Sequence, residues 1–201
     1  TPADPILSRR ANPGLILPVH MNLFWATVLC ILSFQVLGCV DRSERRDPDI
    51  FLFVIDTLRA DHLGSDGDQP SISPNIDRFA KESFRYERAY AQSSWTKTSM
   101  ASLFTGVYPY RHRVFNEEVE GGRLPEAVET LAEILKTRGY RTIALSSNPH
   151  IQRRTGFAQG FDTFRSNGSW RGKTTEPLSR MVREQLDLAD REERHFFYIH
   201  Y

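Results

Sequence analysis

From residue 49 onward, the pattern of apolar and polar positions predicts strands that alternate with helices. Continuous apolar runs at 49–56, 141–147 and 195–201 predict strands, the first of them buried on both faces, and 86–92 predicts a further short strand. Helical spacing of apolar residues predicts helices over 73–84, 127–140 and 176–194, and the hydroxyl-rich segment 93–106 is expected to enter a helix at about Thr96. Residues 148–164 show neither period and are expected to be irregular.

This alternation predicts an α/β fold with a largely parallel sheet and helices on both faces. In such sheets, ligands bind beyond the carboxyl ends of the strands. The formal net charge of +1 provides no general attraction for nucleic acid, so a nucleic-acid partner is not expected.

The first 48 residues have a different character. Residues 21–39 are almost uncharged, end in "VLGC", and are followed by a charged linker at 40–48. The apolar stretch is short for a membrane span, so a lipoprotein-type signal with a lipidated Cys39 is expected, with a plain membrane anchor as the alternative. Residues 1–20 are interpreted as an over-extended start before Met21. Both cysteines lie in this region, so the following domain, 49–201, has no thiol chemistry.

Two side chains are candidates for chemistry. Asp56 ends the first predicted strand, and Thr96 lies where a helix begins, with free backbone N–H groups that favour anions. A metal held by the carboxylate and the hydroxyl would lower the hydroxyl pKa. The alternative is structural: Asp56 caps a turn, a hydroxyl of the segment caps the helix, and Trp95 packs. Single histidines, such as His62, His112 and His150, have no ligand spacing.

Three segments resemble the N-terminal half of the sulfatase family, in the alkaline phosphatase superfamily. They are "DIFLFVIDTLRADHLG", "SPNIDRFAKESFRYERAYAQSSWTKTSMASLFTGVYP" and "GYRTIALSSNPHIQRRTGFAQGFDTF". The resemblance runs from about residue 49 to residue 201. It implies an alkaline-phosphatase-like, mostly parallel sheet between helices, truncated at the C-terminus.

The resemblance also implies roles for single residues. Asp56 matches the metal-ligating aspartate at the end of the first strand, whereas Thr57 replaces a second aspartate found in many members. Thr96 matches the nucleophile, which would also contact the metal. A threonine cannot mature into formylglycine, which requires cysteine or serine. Thr98 and Met100 replace the proline and arginine of the motif, and residues 146–149 replace a stretch whose lysine and histidine hold a sulfate ester.

These matches and departures imply an exported, metal-dependent hydrolase that cleaves phosphate or sulfate esters with a threonine nucleophile, and they favour phosphorus over sulfur. The metal would be Ca, Mg, Mn or Zn, and the substrate a small-molecule, glycan or lipid ester. The alternatives are a phosphoglycerol-type transferase and a non-catalytic, envelope-anchored binding relative. The expected location is the bacterial cell envelope, on the periplasmic or extracellular face, with membrane attachment through the N-terminal anchor. Further ligands are expected beyond Tyr201, so residues 40–201 alone are expected to be inactive.

Overall fold

The computed structural model describes residues 47–64, 71–115, 122–166 and 175–201. The expected signal, the lipidated Cys39 and most of the charged linker lie outside these ranges. Within the described ranges, no helix is both long enough and apolar enough to cross a bilayer.

Four parallel strands form one sheet, which confirms the α/β fold class. They are β1 (Ile50–Val54), β2 (Tyr140–Ser146), β3 (Thr163–Ser166) and β4 (Arg194–His200), in the order β1-β4-β2-β3. Because all four run in the same direction, their carboxyl ends lie along one edge of the sheet. The register aligns Val54, His200 and Ser146 in one row at this edge.

The described part of the chain contains five α-helices: α1 (Pro74–Lys81), α2 (Thr96–Thr105), α3 (Pro109–His112), α4 (Leu131–Thr137) and α5 (Glu176–Asp187). Helix α2 begins at Thr96, as the sequence predicts, and ends at Gly106, whose φ of 68° is the left-handed conformation that glycine adopts without strain. Two short 3₁₀ turns cover Ala60–His62 and Arg153–Thr155.

Alternating side chains of β4 supply both faces of the core. Phe196 and Tyr198 belong to a cluster that includes Phe104 from α2, whereas Phe197 and Ile199 pack with Leu178 from α5. Both sets are almost completely buried. Since neighbouring residues of a strand point to opposite faces, every second residue of β4 faces α2, and this series ends at His200.

The predictions for the outer strands were partly wrong. Strand β1 lies at an edge of the described sheet, and its Phe51 and Phe53 are 44% and 58% exposed, so it is not buried on both faces. Strand β4 lies between β1 and β2, at the centre of the described sheet. Residues 86–92 form no strand, and β3 lies partly in a segment predicted to be irregular. Pairing between distant segments decides all of these features, and local pattern does not report it.

Helix α4 is held at its start by a reciprocal capping box. The Thr130 hydroxyl accepts a hydrogen bond from the Glu133 backbone N–H at 3.2 Å, and the Glu133 carboxylate accepts one from the Thr130 N–H at 2.8 Å. The two bonds satisfy backbone donors that the first helical turn leaves free. The same helix ends before Gly139, whose φ is 81°, so it is shorter than the predicted range 127–140.

Replacing Thr130 by alanine is expected to lower the free energy of unfolding by about 1 kcal/mol, because the cap is lost. Thr137→Ala is the matched control, since the Thr137 hydroxyl is exposed and only bonds back to the Ile134 carbonyl. Urea-induced unfolding of both variants measures the difference. Equal losses in the two variants would show that the capping box does not stabilise the helix.

Candidate active site

The candidate site is a cleft of about 460 Å³ at the carboxyl edge of the sheet. Its walls come from segments that are distant in sequence. The lining residues are Asp56, Thr57, Thr96, Ser147, Asn148, Pro149, His150 and Tyr201. The two residues that the sequence singled out, Asp56 and Thr96, therefore lie in one cleft.

The sheet register explains why these side chains converge. Asp56 lies two residues beyond Val54, and Asn148 lies two residues beyond Ser146. Strand-like pairing continues past the strands, because the Asp56 N–H donates to the Tyr201 carbonyl at 3.1 Å and the Ser147 N–H donates to the His200 carbonyl at 3.0 Å. A step of two residues keeps a side chain on the same face. Asp56 and Asn148 therefore continue the α2 face of the sheet.

The start of helix α2 faces this edge. The Thr96 hydroxyl donates a hydrogen bond to Asp56 Oδ2 at 3.2 Å. Thr96 is the first residue of the helix, where backbone N–H groups lack intrahelical acceptors and the helix dipole is positive. An anion placed beside the Thr96 hydroxyl would thus meet a favourable field.

Asn148 also contacts Asp56. Its side-chain Oδ1 accepts a hydrogen bond from the His150 backbone N–H at 2.8 Å, which fixes the amide orientation and directs Nδ2 to Asp56 Oδ2 as a donor. From the sequence, residues 146–149 are interpreted only as the loss of a lysine and a histidine that hold a sulfate ester in the family. The place of Asn148, just past the end of a parallel strand, was the signal that could have identified it.

Every side-chain contact of Asp56 within the described residues is made to the same oxygen. Thr96 and Asn148 donate to Oδ2, and Nε2 of His200 lies 3.7 Å from it. Oδ1 has no hydrogen-bond partner among the described residues. The Asp56 side chain is 28% exposed.

His200 and Tyr198 form a buried pair behind Asp56. The Tyr198 hydroxyl lies 2.6 Å from His200 Nδ1, and neither side chain is exposed. Burial lowers the pKa of His200 below its usual value, although the charge of Asp56 opposes this shift. Burial also raises the pKa of Tyr198, and the negative charge of Asp56 raises it further. Both groups are therefore neutral near neutral pH. The sequence analysis named neither of them as a site residue.

Two further positions of the family motif, Thr98 and Met100, lie apart from the cleft. Thr98 and Met100 are each 5% exposed, and Met100 belongs to the core beside Phe104. Thr57 lines the cleft with a φ of 57°, a left-handed conformation that a β-branched residue rarely adopts. Trp95 is 58% exposed rather than packed in the core. His150 lines the cleft, whereas His112 is buried.

Asp56 is the acidic side chain of the cleft. No group of three or more His, Cys, Asp or Glu side chains in the described ranges could hold an ion. The oxygens of Asp56 and Thr96 are hard donors of the kind that Mg²⁺, Mn²⁺ and Ca²⁺ prefer. They fit one part of a divalent site.

Comparisons with known proteins agree with the resemblance to the sulfatase family that the sequence shows. The family model described as Sulfatase matches residues 48–201. An ulvan-active sulfatase of Formosa agariphila is 29% identical over 69% of this chain and 29% of its own length. The solved structure of a phosphonate monoester hydrolase of Agrobacterium radiobacter superposes with a TM-score of 0.61 at 19% identity, over 76% of this chain and 40% of that one.

A third match is an enzyme solved in complex with its substrate D-glucosamine-2-N,6-O-disulfate. It has a TM-score of 0.63 at 19% identity, over 77% of this chain and 34% of that one. These structural matches confirm the alkaline-phosphatase-like fold. The chain spans less than a third of the length of the ulvan-active relative.

A pH dependence of stability follows from the buried histidines. His112, whose Nε2 lies 2.9 Å from the Ser102 hydroxyl and whose Nδ1 accepts from the Val114 N–H, also has a pKa lowered by burial. The unfolded chain gains protons at His112 and His200 as the pH falls through about 6.5, whereas the folded chain does not. The free energy of unfolding is therefore expected to fall from pH 7.5 to pH 5.5. His112→Gln, which keeps a donor for Ser102, should reduce this pH dependence when it is measured by urea unfolding. An unchanged dependence would show that His112 does not contribute to it.

Proposed function

The chain belongs to the sulfatase family of hydrolases, and we propose that it carries the nucleophile and the first metal ligand of a metal-dependent ester hydrolase acting at phosphorus. This proposal rests on the hydrogen bond between the Thr96 hydroxyl and Asp56 Oδ2, at the start of helix α2. The cleft brings together a hydroxyl, a carboxylate and the start of a helix. Nucleophilic attack on an anionic ester requires groups of these kinds.

Members of this family generally depend on a divalent metal ion. Asp56, whose Oδ1 has no hydrogen-bond partner among the described residues, and Thr96 would hold the ion. When bound, it would supply a positive charge that lowers the pKa of the Thr96 hydroxyl and offsets the charge of the ester. The hydrogen bond from Asn148 holds the Asp56 side chain in one orientation, so that the carboxylate is ordered before the ion arrives.

The reaction then proceeds in two displacements at phosphorus. Thr96 Oγ1 forms a bond to phosphorus, the bond to the leaving alcohol breaks, and the hydroxyl proton passes to solvent. The start of helix α2 stabilises the negative charge on the phosphoryl oxygens. Water next attacks the phospho-threonine, which releases phosphate or a phosphate monoester and restores the hydroxyl.

Phosphorus is preferred over sulfur because of two features of this chain. Thr96 occupies the nucleophile position, where formylglycine maturation requires cysteine or serine. Ser147, Asn148 and Pro149 line the cleft where the resemblance would have a lysine and a histidine for a sulfate ester. The fold is compatible with either chemistry, because its matches include both a phosphonate monoester hydrolase and an enzyme with a disulfated sugar.

Sulfate ester hydrolysis is the second candidate. The family and the ulvan-active relative favour it. The substrate in either case is a small-molecule or glycan ester. A phosphoglycerol-type transferase would use the same first displacement but give the phosphoryl group to an alcohol instead of water.

Thr96→Ala is expected to lower turnover of an activated phosphodiester, bis(p-nitrophenyl) phosphate, by about a thousandfold or more, because the attacking oxygen is removed. The measurement uses protein expressed from the complete gene. Thr96→Ser keeps the hydroxyl and should retain part of the activity, and Ser99→Ala in the same helix is the control. Undiminished turnover in Thr96→Ala would refute the nucleophile, and wild-type preference for p-nitrophenyl sulfate would favour the second candidate.

Asp56→Ala is expected to remove the divalent ion from the purified protein, because the metal loses its carboxylate ligand. Elemental analysis of the wild-type protein should find about one ion per chain at this site. Asp61→Ala is the control, since Asp61 is exposed and pairs with Arg59. Equal metal content in wild type and Asp56→Ala would exclude Asp56 as a ligand.

A further inference from the structure

His200 has a buried nitrogen with no hydrogen-bond partner in the described structure. His200 is 0% exposed, and its Nε2 is one of three buried side-chain atoms among the described residues that have no partner. The nearest charged oxygen is Asp56 Oδ2, at 3.7 Å. A buried polar atom without a partner is costly, so its place behind a functional carboxylate requires an explanation.

Tyr198 determines which nitrogen of His200 carries the proton. Within the described residues, the Tyr198 hydroxyl makes one hydrogen bond, to His200 Nδ1. The phenol has one proton and no other acceptor, so it donates that proton to the lone pair of Nδ1. A neutral imidazole with a lone pair on Nδ1 has its hydrogen on Nε2. The Nε2–H group is then directed towards Asp56.

Packing holds this pair in place. The Tyr198 ring contacts Phe104 of helix α2 edge to face, at 4.8 Å between ring centroids, and contacts the His200 ring at 5.8 Å. Both side chains lie on the α2 face of strand β4, and neither is exposed. Their orientation is thus fixed by the core, whereas the Asp56 side chain is partly exposed and has to be oriented by its neighbours.

We propose that His200 is a positioning residue for Asp56, with Tyr198 fixing the tautomer that directs Nε2–H to Oδ2. Together with Thr96 and Asn148, His200 keeps Oδ2 turned towards the protein interior. Oδ1 is then available to bind the cation. The proposal rests on the metal-dependent function proposed above. Residues that hold a metal ligand in its orientation typically change metal affinity by about 10- to 100-fold.

The first test measures Mn²⁺ affinity by calorimetry, on protein expressed from the complete gene and stripped of metal. His200→Leu should weaken binding by about 10- to 100-fold. His200→Gln should restore most of the affinity, because its amide nitrogen can occupy the position of Nε2. Tyr198→Phe should weaken binding less than His200→Leu, since the imidazole remains but its tautomer is no longer fixed. His112→Gln alters an equally buried histidine that contacts Ser102 instead, and it should leave the affinity unchanged.

The second test needs no variant. Two-bond ¹H–¹⁵N correlation spectra of the wild-type protein, labelled at histidine, should show His200 with its proton on Nε2. A proton on Nδ1 would overturn the proposal, and so would Mn²⁺ binding in a folded His200→Leu variant that equals the wild type. If Asp56→Ala abolishes binding while His200→Leu does not, the positioning role fails and the proposed function stands. If Asp56→Ala itself leaves binding intact, both fail.

Discussion

The site depends on the parallel register of three strands. Val54, His200 and Ser146 lie in one row because β4 pairs with β1 on one side and β2 on the other. Asp56 and Asn148 follow that row by two residues each, so their side chains meet on the α2 face. A shift of the register by one residue would turn each side chain to the opposite face of the sheet. The chemistry of the cleft is thus a consequence of backbone pairing in the core.

Three groups surround one oxygen of Asp56, and each comes from a different element. Thr96 comes from the start of α2, Asn148 from the turn after β2, and His200 from the end of β4. The carboxylate is partly exposed, yet these contacts restrict its orientation. We propose that the protein uses Oδ2 for its own hydrogen bonds, so that Oδ1 can bind a cation. Preorganisation of this kind reduces the cost of ordering a ligand when the ion binds.

Much of this arrangement could be predicted from the sequence, and the reasons differ between residues. The α/β class and the helix start at about Thr96 follow from the local pattern of apolar and hydroxyl-bearing residues, and the structure confirms both. The proximity of Asp56 and Thr96 follows from the rule that ligands gather at the carboxyl edge of a parallel sheet. Their catalytic and metal-binding roles stay predictions.

The remaining features depend on pairing between distant segments. The central place of β4 could not be predicted from its apolar run, because a central and an edge strand can share the same composition. His200 and Asn148 were therefore not recognised: one was read as part of a buried strand, and the other as the loss of a family residue. The exposure of Phe51 and Phe53 on β1 could not be predicted, for the same reason.

The most direct measurement is mass spectrometry of the protein expressed from the complete gene and quenched with acid during turnover of an activated phosphate ester. We expect a phosphoryl group on the peptide that contains Thr96, and fragmentation should place it on that residue. Thr96→Ala should show no adduct under the same conditions. If the wild-type enzyme is active and its phosphoryl group is found on another residue, Thr96 is not the nucleophile.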